Sequence, residues 1–126
     1  MLGSADVVAF VPTRDSAEAR RFYGDVLGLE LVSEDAFALV FSANGVPLRV
    51  VDVSRVDGFA PAPFTILGWN VPSVEDAARE LAAKGVCFER FPGMQQNPIG
   101  VWESPSGARV AWFKDPDGNI LSISQT

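Results

Sequence analysis

Two stretches of this chain repeat one another, and the repetition constrains its fold more than any other feature. Val11-Pro12-Thr13 precedes one helical pattern and Val71-Pro72-Ser73 precedes a second, and each pattern ends at a glycine, Gly28 and Gly85. In the first, Asp15 and Glu18 have capping-box spacing, and Ala19, Phe22, Tyr23, Val26 and Leu27 fall on one apolar stripe. In the second, Ser73 and Asp76 repeat the capping spacing, and Val74, Ala77, Ala78 and Leu81 make the stripe. A glycine suits the left-handed residue that closes a helix. From Val11 to Gly28 is 17 residues and from Val71 to Gly85 is 14, a difference that predicts about one more helical turn in the first half.

Strand patterns surround both helices. In the first half they fall near 6–11, 29–33, 36–42 and 47–53, with Asn44-Gly45 as a hairpin turn signal. In the second half they fall near 64–71, 86–90, 99–104, 108–114 and 119–125. Asp115-Pro116-Asp117-Gly118-Asn119 is a dense turn signal before the last one. The stretch 54–63 breaks the pattern with two prolines and a glycine and reads as a linker. The expected fold is α+β: a βαβββ unit over 1–53 and a second over 64–126, together one domain. A single such unit leaves one face of its sheet uncovered, so the two should pair with each other or across a partner chain.

Composition narrows the chemistry. The chain has 126 residues, 48% hydrophobic and 21% charged, which suits a folded core and excludes a disordered chain. It contains no histidine, so the commonest metal ligand and neutral-pH acid/base group is missing. Its one cysteine, Cys87, excludes an internal disulfide framework and a cysteine zinc cluster. With no histidine to form a thiolate pair, Cys87 is expected to be a buried, inert thiol. A net charge of -6 argues against nucleic-acid binding, which requires a basic face. No apolar run approaches the roughly 20 residues that span a bilayer, and the first residues lack a signal-peptide pattern, so a soluble cytoplasmic protein without membrane contact is expected.

Two motifs add a resemblance. Phe22-Tyr23-Gly-Asp-Val-Leu-Gly28-Leu-Glu-Leu after the first strand and Trp112-Phe113-Lys114-Asp115-Pro116-Asp117-Gly118-Asn119 before the last are similar to those of the vicinal oxygen chelate superfamily. That superfamily includes glyoxalase I, extradiol dioxygenases, and fosfomycin and bleomycin resistance proteins. The resemblance implies a half-open barrel-like sheet built from the paired units, and a homodimer that completes the cavity across chains. In metal-dependent members, His, Glu or Gln ligands come from the first and last strands of each unit. By offset from the motifs, these positions are Val8, Ile66 and Ser122, with the remaining one at about Val50 and Asp52 two residues on.

Three of those positions are aliphatic, and Ser122 offers one neutral hydroxyl. A divalent ion needs several donor atoms to replace its water shell, and one carboxylate at Asp52 does not supply them. The expectation is therefore no bound metal, no other cofactor and no nameable catalytic residue. Glyoxalase isomerisation, catechol ring cleavage and fosfomycin opening all use the ion as a Lewis acid. The bleomycin resistance proteins keep the fold without the metal and act by sequestration. The leading expectation is thus a protein that binds or sequesters a small molecule, such as a drug, in an apolar cavity. Two alternatives stand beside it: a lyase- or dioxygenase-like enzyme with a displaced metal or none, and a non-catalytic module whose cavity is filled by its own side chains.

The resemblance, with alternation along each strand, proposes the cavity lining. Val8 and Phe10 share one face of the first strand, and Val50 with Asp52 one face of the fourth. The resemblance places Ile66 of the fifth strand there and turns Val110 and Trp112, in the strand before the last turn, towards the cavity, and alternation puts Ser122 on one face of the final strand with Ile120 and Ser124. Trp102 joins the candidates, although alternation leaves its face open. Trp69 should pack towards the helix, and Arg49 and Arg109 should point away from the cavity. Met94, Gln95 and Gln96 of the long loop 91–98 could act as adaptable lid contacts, or the loop could be a plain connection.

Overall fold

A computed structural model describes residues 1–126. Its chain divides into two compact units, Met1–Ala60 and Pro61–Thr126. No helix is long and apolar enough to cross a membrane.

In the first unit, strand β1 (Ala9–Thr13) leads into helix α1 (Ser16–Arg20), which continues as a π-helix over Arg21–Val26. Strands β2 (Glu30–Glu34), β3 (Ala38–Ala43) and β4 (Val46–Asp52) follow. The sheet order is β1-β4-β3-β2, with β1 and β4 parallel and the other pairs antiparallel. Register places Val11, Val50 and Leu39 side by side, and Leu48 beside Phe41. All five are buried, beneath Ala19, Phe22 and Tyr23 of the helical segment. The Tyr23 ring lies 6.1 Å from the Phe41 ring and 5.2 Å from that of Phe22. Each large apolar side chain enclosed this way contributes about 1.5–3 kcal/mol of transfer free energy.

The second unit repeats the plan. Strand β5 (Thr65–Asn70) precedes helix α2 (Val74–Ala83), and β6 (Trp102–Glu103), β7 (Arg109–Lys114) and β8 (Ile120–Gln125) complete the sheet. Its order, β5-β8-β7-β6, matches the first, again with a parallel outer pair. Ala111, Phe113, Leu121 and Ile123 form the buried side, joined by Val74 and Ala78 of α2. The Gln125 side chain accepts a hydrogen bond from the Val74 amide at 3.0 Å, fixing the start of α2 to β8. The protein is thus α+β, with two four-stranded mixed sheets of the same topology.

Both expected caps are present. Asp15 accepts from the Glu18 amide at 3.2 Å, and Ser73 from the Asp76 amide at 3.2 Å. The three-residue difference between the halves is not an added turn, however. Measured from the repeated Val-Pro pair, α1 starts two residues later than α2, and the helical run is one residue longer. That extra residue is absorbed as the π turn, in which the Leu27 amide donates to Phe22 five residues back at 2.9 Å.

Two strand expectations need correction. The segment 86–90 makes one bridge, Phe88 to Phe113, and is not a strand. The strand near 99–104 is reduced to Trp102–Glu103. Between them the chain turns to bond with its own amides. Gln96 accepts from Phe91 N at 2.9 Å and donates to the carbonyls of Glu89 and Gly100. Asn97 accepts from Ile99 and Val101. Side-chain amides here satisfy the backbone groups a strand ladder would have paired.

Candidate functional site

In each unit one side of the sheet carries the helix and the other is open. On the open side of the second unit, Trp102 stands opposite Val110, Trp112 opposite Ser122, and Val110 opposite Ser124. Residues that face each other across a ladder share a side of the sheet. Four sequence-proposed residues, Trp102, Val110, Trp112 and Ser122, therefore lie together. The face of Trp102, open from alternation, is fixed by its pairing with Val110. The two indole rings lie 6.1 Å apart at a 39° tilt, and the Phe91 ring meets Trp112 edge-on at 5.4 Å. The Trp112 indole N–H donates to Thr65 Oγ1 at 3.1 Å, which anchors one end of the ring. Gly68 stands beside Ser122, where a Cβ would come within 2.6 Å of the Ser122 hydroxyl. Beside the wall, a groove of about 590 Å³ is lined by Phe91, Met94, Gln95, Trp102 and Glu103 among others.

Sequence reasoning missed Thr65 and Phe91. A bulge lies between Thr65 and Leu67, so Thr65 takes the ladder place opposite Ile120. Ile66 sits in that irregularity and is half-buried. Nothing in the sequence announces the bulge. Phe91 had a weaker signal, as an aromatic residue opening a Pro- and Gly-rich loop.

The first unit treats the proposed residues differently. Phe10 is 60% exposed on the open side, and Val8, just before β1, is exposed too. Val50 is a correction: it pairs with the buried Val11 and is fully enclosed under the helices, so it cannot line an open cavity. Asp52 pairs with buried Thr13 and therefore also belongs to the Val50 side, at the exposed end of β4. Its carboxylate accepts from the Ser54 amide at 2.8 Å, and the hydrogen bonds from Ser54 hold its pKa below the ordinary carboxylate value. Arg49 is the converse correction, because it stands beside Phe10 on the open side. Leu48 and Val50 flanking a charged Arg49 carried that parity in the sequence.

The remaining residues are accounted for by packing and pairing. Trp69 pairs with Ile123 and faces the helix side. Arg109 lies on the helix side, ion-paired to Glu75 of α2 and to Glu103 at 3.2 Å. Gln96, considered as a lid contact, is committed to three backbone partners within its own loop. Cys87 is exposed, contrary to the expectation of a buried thiol. In the Asp115–Asn119 turn, Asp115 accepts from the Asp117 and Asn119 amides and from the Asn119 side chain, each at 2.9 Å. That conspicuous motif is thereby built into the turn itself.

A divalent ion would find a poor donor set. No group of three or more His, Cys, Asp or Glu residues has a metal-holding arrangement. The open side of the second unit presents hydroxyls, an amide and indoles, with Lys114 at the end of β7 paired to Glu89 at 3.5 Å. Neutral hydroxyls and aliphatic groups do not replace a divalent ion's water shell.

Comparison with known proteins agrees with this architecture. The family model described as Glyoxalase/Bleomycin resistance protein/Dioxygenase superfamily matches residues 5–123. Among solved structures, the chain is similar to a member of that superfamily from Sphaerobacter thermophilus, 22% identical over the whole of both chains with a TM-score of 0.77. It is also similar to a lactoylglutathione lyase from Agrobacterium tumefaciens, 21% identical over 97% of this chain and 93% of that one, TM-score 0.73. A third likeness is to a superfamily protein from Alicyclobacillus acidocaldarius, 19% identical over 97% and 91%, TM-score 0.69. No curated protein matches the sequence. At such identities the likeness carries the fold and not the activity.

Proposed function

From the premise that the chain belongs to the glyoxalase/bleomycin resistance protein/dioxygenase superfamily, we propose that it binds or sequesters a small planar molecule without using a metal. The observation that carries this reading is the aromatic wall of Trp102, Trp112 and Phe91 on a face poor in metal donors. Small-molecule sites are mostly apolar with a few polar groups that set orientation. Here the wall supplies the apolar area, and Ser122 and Ser124 supply hydroxyls beside it. Indole faces also attract cations, each contact contributing about 0.5–2 kcal/mol, so a planar cation suits the wall better than a planar anion. The net charge of -6 favours the same sign at long range. A homodimer in the cytoplasm is part of the proposal, by analogy with the metal-free members.

Tryptophan fluorescence tests it, because two of the three tryptophans sit in the wall. Titration with planar antibiotics and dyes, in chelator, should find a ligand that quenches the emission saturably. Replacing Trp112 with Phe should weaken that ligand about three- to tenfold, and Trp112→Ala about tenfold or more. Binding that appears only when a divalent metal is added would contradict the proposal.

A further inference from the structure

A second concavity lies on the helix side of the second unit, away from the aromatic wall. It is a cleft of about 580 Å³ between α2 and the segment 86–100. That volume lies within the roughly 300–1,000 Å³ range of small-ligand clefts. Ala78 and Ala82, one helical turn apart on α2, line it together with Phe88 and Ile99. Gly100 also lines it with φ at +94°, and a Cβ there would come within 2.9 Å of Phe88 Cβ, so no side chain can fill the cleft from that position.

Its charge is the informative feature. The chain has 16 acidic and 10 basic residues, yet Arg79 and Arg90 line this cleft and no Asp or Glu does. Arg90 donates to the carbonyls of Gln96, Asn97 and Pro98 at 3.4, 2.7 and 2.8 Å, and to no carboxylate. A guanidinium has five N–H donors, so two remain, and no carboxylate is paired with this one. Arg79 has only a 3.7 Å exposed pairing with Asp76 along its own helix, and a pair of that kind contributes little.

We propose that this cleft binds an amphipathic monocarboxylate, its aliphatic tail lying against Ala82, Phe88 and Ile99 and its carboxylate meeting Arg90 and Arg79. The site is independent of the one proposed on the open face. A guanidinium pair selects a carboxylate through charge-assisted hydrogen bonds, and the apolar walls select a chain over a small hydrophilic anion.

The test uses octanoate as probe and octanol as its uncharged match, titrated into the intact protein by calorimetry and heteronuclear NMR. Octanoate should bind saturably and perturb the amides around Ala82 and Ile99, with octanol about tenfold weaker or more. Ala82→Phe, at an exposed helix position, should fill the cleft and reduce octanoate affinity about tenfold. Arg79→Gln should bring octanoate affinity down towards that of octanol, and Trp112→Ala should leave it unchanged. No saturable octanoate binding, equal affinity for the alcohol, indifference to Ala82→Phe, or loss through Trp112→Ala would each overturn the proposal.

Discussion

Single residues show where side-chain chemistry is spent on structure. The Asp115 carboxylate, buried in its turn, accepts three hydrogen bonds. Asp115→Ala should lower unfolding stability by about 2–3 kcal/mol in urea titration, because charge-assisted bonds are lost and their donors are left unpaired. Asp115→Asn should cost less, since its oxygen can still accept from the amides while its nitrogen opposes the Asn119 side chain. Asp35 holds the amides of Phe37 and Ala38 at 2.8 and 2.9 Å, and those bonds lower its pKa from the ordinary value. A carboxyl with a depressed folded pKa contributes stability above its unfolded pKa and loses it as pH falls through the folded one. The stability gap between wild type and Asp35→Asn should therefore be present at neutral pH and close in the acid range below ordinary carboxylate titration. A gap in urea midpoint that is flat with pH would contradict this. The offset from the family motifs misplaced Val50, whereas its own neighbourhood, aliphatic Leu48 and Val50 on either side of the charged Arg49, already marked the covered side on which it pairs with Val11.

Elements were legible where local chemistry decides them and obscure where irregularity does. Both helix starts could be read because a side-chain oxygen three residues before an amide is a local arrangement. Ser73→Ala should cost about 1 kcal/mol through loss of that cap, measured as a lower urea midpoint. The π turn after α1, the bulge at Ile66 and the loop that replaces a strand over 86–90 are departures that periodicity cannot carry. The open face of β5 offers a sharper test. A Cβ at Gly68 would sit 2.6 Å from the Ser122 hydroxyl, so Gly68→Ala should destabilise by about 1–3 kcal/mol. In a Ser122→Ala background most of that cost should disappear, and a double-mutant cycle measures the coupling. Additive effects would mean that the close approach between these two strands is not what requires the glycine.

At the scale of the whole molecule, the duplicated motifs carry the architecture, because each half must bury its own apolar stripe on its own sheet. The candidate face was only half legible. The resemblance brought Val110, Trp112 and Ser122 together, but Thr65 and Phe91 reach the same place through a bulge and a loop. The central claim concerns what that face lacks, namely donor atoms enough for a divalent ion. The most direct test is metal analysis of protein purified from cells grown with added manganese, iron, nickel and zinc, paired with ligand titration before and after chelation. The protein should carry only traces of metal and bind its ligand equally well in both states. One equivalent of ion per chain, removed by chelator together with ligand binding, would contradict the claim.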